Sequence, residues 1–110
     1  MHLKTYVGRR ESSRCSVVVV RPGRTTIALS NPLGLRRHSP TGFEWGYGGS
    51  GPAQLALALL ADATDSATLA LDHYQDYKVA VVSQLPRQGW TLTQDQILDW
   101  LADRLASPST

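Results

Sequence analysis

Between His38 and Gln54 the chain gathers most of the side chains that could do chemistry. His38, Ser39, Thr41, Glu44, Trp45, Tyr47, Ser50 and Gln54 stand close together, and four glycines fall within residues 46–51. Glycine opens backbone conformations closed to other residues and lets a ligand approach the main chain. The run Gly46-Tyr47-Gly48-Gly49-Ser50-Gly51 leads into Pro52, a residue favoured in the first turn of a helix. The N–H groups of a helix's first turn have no intrahelical acceptor, and the helix dipole adds partial positive charge there. Such a place suits an anion. Aromatic faces from Trp45 and Tyr47 would suit a base beside its phosphates. Arg9 and Arg10 could supply bidentate forks to the same ligand. The expected binding set is therefore Arg9, Arg10, His38, Ser39, Thr41, Glu44, Trp45, Tyr47, Gly48, Gly49, Ser50, Gly51 and Gln54. A tight turn whose glycines only provide clearance against the core is the competing reading of the same residues.

Known phosphate and nucleophile motifs fit poorly. A Walker A loop needs Gly-Lys-Ser/Thr, but Gly51 is followed by Pro52 and Ala53. The spacing G-x-G-x-x-G is met by Gly46, Gly48 and Gly51, yet no βαβ unit follows. A nucleophile elbow is nearly spelled by Gly48-Gly49-Ser50-Gly51-Pro52, with Pro52 in the place of the last glycine. A hydrolase could use His38 as base, Ser39 or Ser50 as nucleophile and Glu44 to orient them, a geometry that adjacent His38 and Ser39 would not easily meet. His2, His38 and His73 are scattered and the chain has one cysteine, so no metal centre and no cofactor are expected. Cys15, just before a valine run, reads as a small buried apolar residue. No catalytic residue is assigned.

Charge is segregated. Residues 1–50 hold eight Lys and Arg against two acidic residues, a net of +6, and residues 51–110 hold three against seven, a net of −4. A positive side attracts anions. The helical patterns are neutral or acidic, so a basic recognition helix is absent; nucleic acid is possible through a β-ribbon at residues 15–29 but is not favoured. No apolar run approaches the roughly 20 residues that span a bilayer, so no membrane association is expected and the cytoplasm of a bacterial host cell is the expected compartment.

The elements that must position these residues are an antiparallel sheet and three helices, an α+β fold in one domain over residues 1–106, with a frayed tail at 107–110. Leu3–Arg10 reads as a short strand. Val17–Val20 is the strongest strand signal, and Pro22-Gly23 turns it back into Arg24–Leu29. The alternation of Phe43, Trp45 and Tyr47 predicts a further short strand. About three strands are expected. Ala53–Ala63 is apolar nearly all round and should be the central helix, packed on the sheet. Ala70, Tyr74, Tyr77, Val81 and Leu85 mark one face of a second helix, stopped by Pro86. Thr93-Gln94-Asp95-Gln96 is a capping box for a third, with Ile97, Trp100, Leu101 and Leu105 on its apolar face. The unusually apolar first helix suggests a homo-oligomer that covers it.

The stretch from His38 to Ala56, His-Ser-Pro-Thr-Gly-Phe-Glu-Trp-Gly-Tyr-Gly-Gly-Ser-Gly-Pro-Ala-Gln-Leu-Ala, resembles the signature of an uncharacterised family of small bacterial and phage proteins. Tyr6-Val7-Gly8-Arg9-Arg10, Tyr74-Gln75-Asp76-Tyr77-Lys78 and Gly89-Trp90-Thr91-Leu92-Thr93 add to the resemblance. It supplies no catalytic residues. It implies a role in conflict between phage and host. The expected function is a non-enzymatic binder of a small anionic, nucleotide-derived ligand, with sequestration of a signalling nucleotide as its use. Inhibition of a host defence protein by direct contact is the alternative.

Overall fold

Four consecutive valines, Val17–Val20, cannot all face one way in an extended chain, and this alternation sets up the sheet. A computed structural model describes residues 3–12, 14–23, 25–32, 34–35 and 42–106. The strands are β1 (Thr5–Glu11), β2 (Arg14–Val20), β3 (Thr26–Ala28) and β4 (Gly89–Thr93), antiparallel throughout in the order β3-β2-β1-β4. The Pro22-Gly23 turn forms as the sequence predicts, with Gly23 at φ +84° and Arg21 N–H donating to Thr25 O at 2.8 Å. The register gives the sheet two faces. Tyr6, Gly8 and Arg10 of β1 share one face with Cys15, Val17 and Val19 of β2 and with Trp90 and Leu92 of β4. Tyr6 and Val19 are fully buried there, so this is the inner face.

Helix α1 (Ser50–Thr64) packs on the inner face, and every residue from Gly51 to Leu60 is buried. The Tyr6 hydroxyl donates to Asp62 Oδ1 at 2.7 Å, and Lys4 Nζ pairs with the same oxygen at 3.0 Å, pinning the end of α1 to β1. Burial, with help from Asp62, pushes the Tyr6 hydroxyl well above its ordinary pKa. Helix α2 (Ala67–Ala80) is capped by Ser66, whose hydroxyl accepts from Leu69 N–H, and it packs along α1 with Ala70, Tyr74 and Tyr77 buried. Helix α3 (Gln94–Ala106) starts with the predicted capping box. Gln96 N–H donates to Thr93 Oγ1 at 3.1 Å, and Thr93 N–H donates to Gln96 Oε1 at 2.8 Å. Tyr77 and Trp100 meet edge-on at 4.9 Å to join α2 and α3.

The expectation for the strands is corrected. The sheet has four strands rather than about three, and its fourth is β4, not Phe43–Tyr47. Residues 42–45 are irregular and residues 46–49 bend, because Gly46 at φ +83° turns the chain and donates its N–H to Val82 O at 3.0 Å instead of to a strand. The apolar surface of α1 is covered within one chain, so it does not call for a second subunit. The frayed tail expected at 107–110 lies outside the described residues.

Candidate functional site

The site is built around Glu44. Its neighbour Trp45 is fully buried and docks edge-on against Trp90 with ring centroids 5.5 Å apart. Trp90 can lie across the sheet only because its cross-strand partner is Gly8; a β-carbon there would stand 2.3 Å from the indole. Trp45 Nε1 donates to Arg87 O at 3.1 Å, which fixes the ring. Glu44 is thereby held over the inner face at the end of the β1–β2 hairpin.

Arg10 meets Glu44 in a two-pronged pair, Nη1 to Oε2 at 3.0 Å and Nη2 to Oε1 at 2.6 Å. Its Nε donates to Arg87 O at 2.8 Å, and its guanidinium lies 5.1 Å from the Trp45 ring centre. Register places Cys15 opposite Arg10, and the thiol donates to Glu44 Oε2 at 3.2 Å. The Trp45 N–H approaches Oε1 at 3.3 Å. These donors, Arg10 foremost, hold the Glu44 carboxyl down to about 2. Glu44 raises the Arg10 guanidinium in turn, and burial together with the Glu44 hydrogen bond pushes the Cys15 thiol up. A carboxylate fixed as the anion and a thiol fixed as the donor are tuned away from proton transfer or nucleophilic attack near neutral pH. Among the described residues no group of three His, Cys, Asp or Glu could hold a metal ion.

The glycines divide by purpose. Gly51 lies in the first turn of α1 against Glu44, whose Cβ would be 2.5 Å from any β-carbon placed there. Gly49 is the N-cap of α1 and lies against the Tyr47 ring, 2.8 Å from an added β-carbon. Gly48 faces open space. No side chain caps α1, and its first turn carries no acidic residue. Tyr47 is 44% exposed, and Gly48 and Ser50 are exposed beside it.

The expected binding residues therefore separate into groups. Arg10, Glu44, Trp45 and Gly51 form the inward cluster, and Gln54 is fully buried further along α1. Tyr47, Gly48, Gly49 and Ser50 form an outward rim. Arg9 points to the other face of the sheet, opposite Ser16 and Gly89. His38, Ser39 and Thr41 lie outside the described residues. Sequence reading missed Cys15 and the Arg87 carbonyl as members of the cluster. A hairpin that pairs Glu11 with Arg14 would have placed Cys15 across from Arg10; nothing local marks Arg87. No helix of the described residues is long and apolar enough to cross a membrane.

A family model described as a family of unknown function (DUF6166) matches residues 6–103, and the chain belongs to that family. No curated protein and no solved structure matches it.

Proposed function

We propose, taking membership of this family as the premise, that the protein is a non-enzymatic binder of a small anionic, nucleotide-like ligand. Its site is the outward rim, Tyr47–Ser50, at the N-terminus of α1. One observation carries the reading: the first turn of α1 has neither a capping side chain nor an acidic residue, and it stands beside an exposed tyrosine. The nearby negative charge does not oppose an anion, because Glu44 is neutralised by Arg10 within the protein. The Ser50 backbone N–H at the start of the turn would take a phosphate oxygen, the Ser50 hydroxyl would add a donor, and Tyr47 would stack a base. The use proposed for such a binder is sequestration of a signalling nucleotide.

Thermal melts with inorganic phosphate, pyrophosphate and linear and cyclic nucleotides test the proposal. A ligand at a hundred times its Kd stabilises the folded state by about 2.7 kcal/mol. Nucleotides should raise the melting temperature more than phosphate does, and Tyr47→Ala should remove that excess. A panel without any shift, or shifts that Tyr47→Ala leaves intact, would refute it.

A further inference from the structure

Among the described residues the sheet carries helices on one face only, and its other face forms an ordered surface. Register places Ala28, Val18, Val7 and Thr91 in one row across the four strands, and Thr26, Val20, Thr5 and Thr93 in the next. All eight are uncharged, and each is exposed or half-buried. Towards the β1–β2 turn the rows become polar: Ser16, Arg9 and Gly89, then Arg14 opposite Glu11. Arg9, Glu11 and Arg14 are exposed and make no ion pair among the described residues. β-Branched side chains on a sheet lose little rotamer freedom when covered, and sheets pack face to face with strands roughly aligned.

We infer that this outer face docks a second copy of the chain in a two-fold sandwich. The argument is charge complementarity. β1 and β2 are the two central strands. A two-fold axis parallel to the strands and passing between them lays β1 on β2 of the second copy and β3 on β4. Val7 then faces Val18, Thr5 faces Val20 and Thr91 faces Ala28. At the charged end Glu11 faces Arg14 of the second copy, Arg14 faces its Glu11, and Arg9 faces Ser16. No like charges meet, and the uncharged rows fill the middle. Such an interface is isologous and closes on itself. Four strands at about 4.8 Å and up to seven residues at about 3.3 Å give a face roughly 20 Å on a side. That is about 400 Å², roughly half of the 800 Å² that each partner contributes to a standard specific interface. The dimer is accordingly a weak, reversible one. Nucleic acid is the other occupant a basic sheet edge could take, but this face offers no aromatic ring for a base.

Sedimentation velocity from low micromolar to near-millimolar concentration tests the inference. The wild type should pass from 12.0 kDa to twice that mass. Val18→Lys should stay folded and monomeric throughout. Glu11→Arg and Arg14→Glu should each weaken self-association by about tenfold or more, since two attractive contacts become repulsive. Mixed in equal amounts, those two variants should form a heterodimer of near wild-type affinity, because each then faces its opposite charge. Mixing leaves repulsion within each chain unchanged, so recovery reports the contact between copies. A wild type monomeric at every concentration would overturn the inference. So would a Val18→Lys variant that still dimerises, a mixture no tighter than its components, or a monomer that instead binds an oligonucleotide through Arg9 and Arg14.

Discussion

Glu44 and Tyr47 stand in the same loop, yet one side chain is closed in by Arg10, Cys15 and the Trp45 amide while the other lies open to solvent. The residue types that made the segment look like a ligand site are shared between them. The inward half spends its polarity on the fold: a carboxylate is matched by a guanidinium, a thiol and an N–H, and glycine is needed so that Glu44 can lie on α1. The outward half leaves a helix N-terminus uncapped and an aromatic ring exposed. Density of glycine and polar residues thus signals a convergence of backbone, and only the direction each side chain takes separates scaffold from surface.

Substitutions should separate the halves, with the inward ones costing most. Gly51→Val sets a branched side chain into Glu44 Cβ at 2.5 Å and its amide nitrogen at 3.2 Å, and should destabilise by about 3 kcal/mol in denaturant unfolding. Gly48→Ala, in the bend before the helix and facing open space, should change stability by less than about 0.5 kcal/mol. Equal costs at the two glycines would erase the distinction.

Glu44→Gln should cost roughly 1–2 kcal/mol at neutral pH, because Arg10 keeps its position and loses its charged acceptor. The pH dependence sharpens this. The folded-state pKa of Glu44, about 2, lies below its ordinary 4.5. Its contribution is therefore complete above the ordinary value and is lost as pH falls from there towards 2. The stability gap between wild type and Glu44→Gln should shrink over that window in urea titrations at stepped pH. A gap that stays constant with pH would mean that the carboxylate charge does not hold the loop.

The sequence made the scaffold easier to read than the site. Valine run, Pro-Gly turn and capping box are local signals, and each formed where it was expected. β4 escaped because only Trp90 and Leu92 turn inward from a five-residue strand whose partner, β1, lies at the other end of the chain. Phe43, Trp45 and Tyr47 alternate as a strand would, but the left-handed Gly46 reverses the chain between the second and third, burying Trp45 and exposing Tyr47. Arg10 read as a free anion clamp because its acceptor, Glu44, is distant in sequence and is brought near only by the docking of Trp45 beside Trp90.

Stability effects at the rim are small, and it carries the most direct test. Ser50→Glu places a carboxylate in the uncapped first turn of α1, which should raise stability by about 0.3–1 kcal/mol through the helix dipole. The same carboxylate would occupy the anion's place. Calorimetric titration with pyrophosphate, run beside thermal melts, should show binding to the wild type and at least about a tenfold loss in Ser50→Glu, a difference of about 1.4 kcal/mol, while the variant melts at or above the wild-type temperature. Equal affinity in both proteins, or no heat of binding in the wild type, would contradict the assignment of the rim as an anion site.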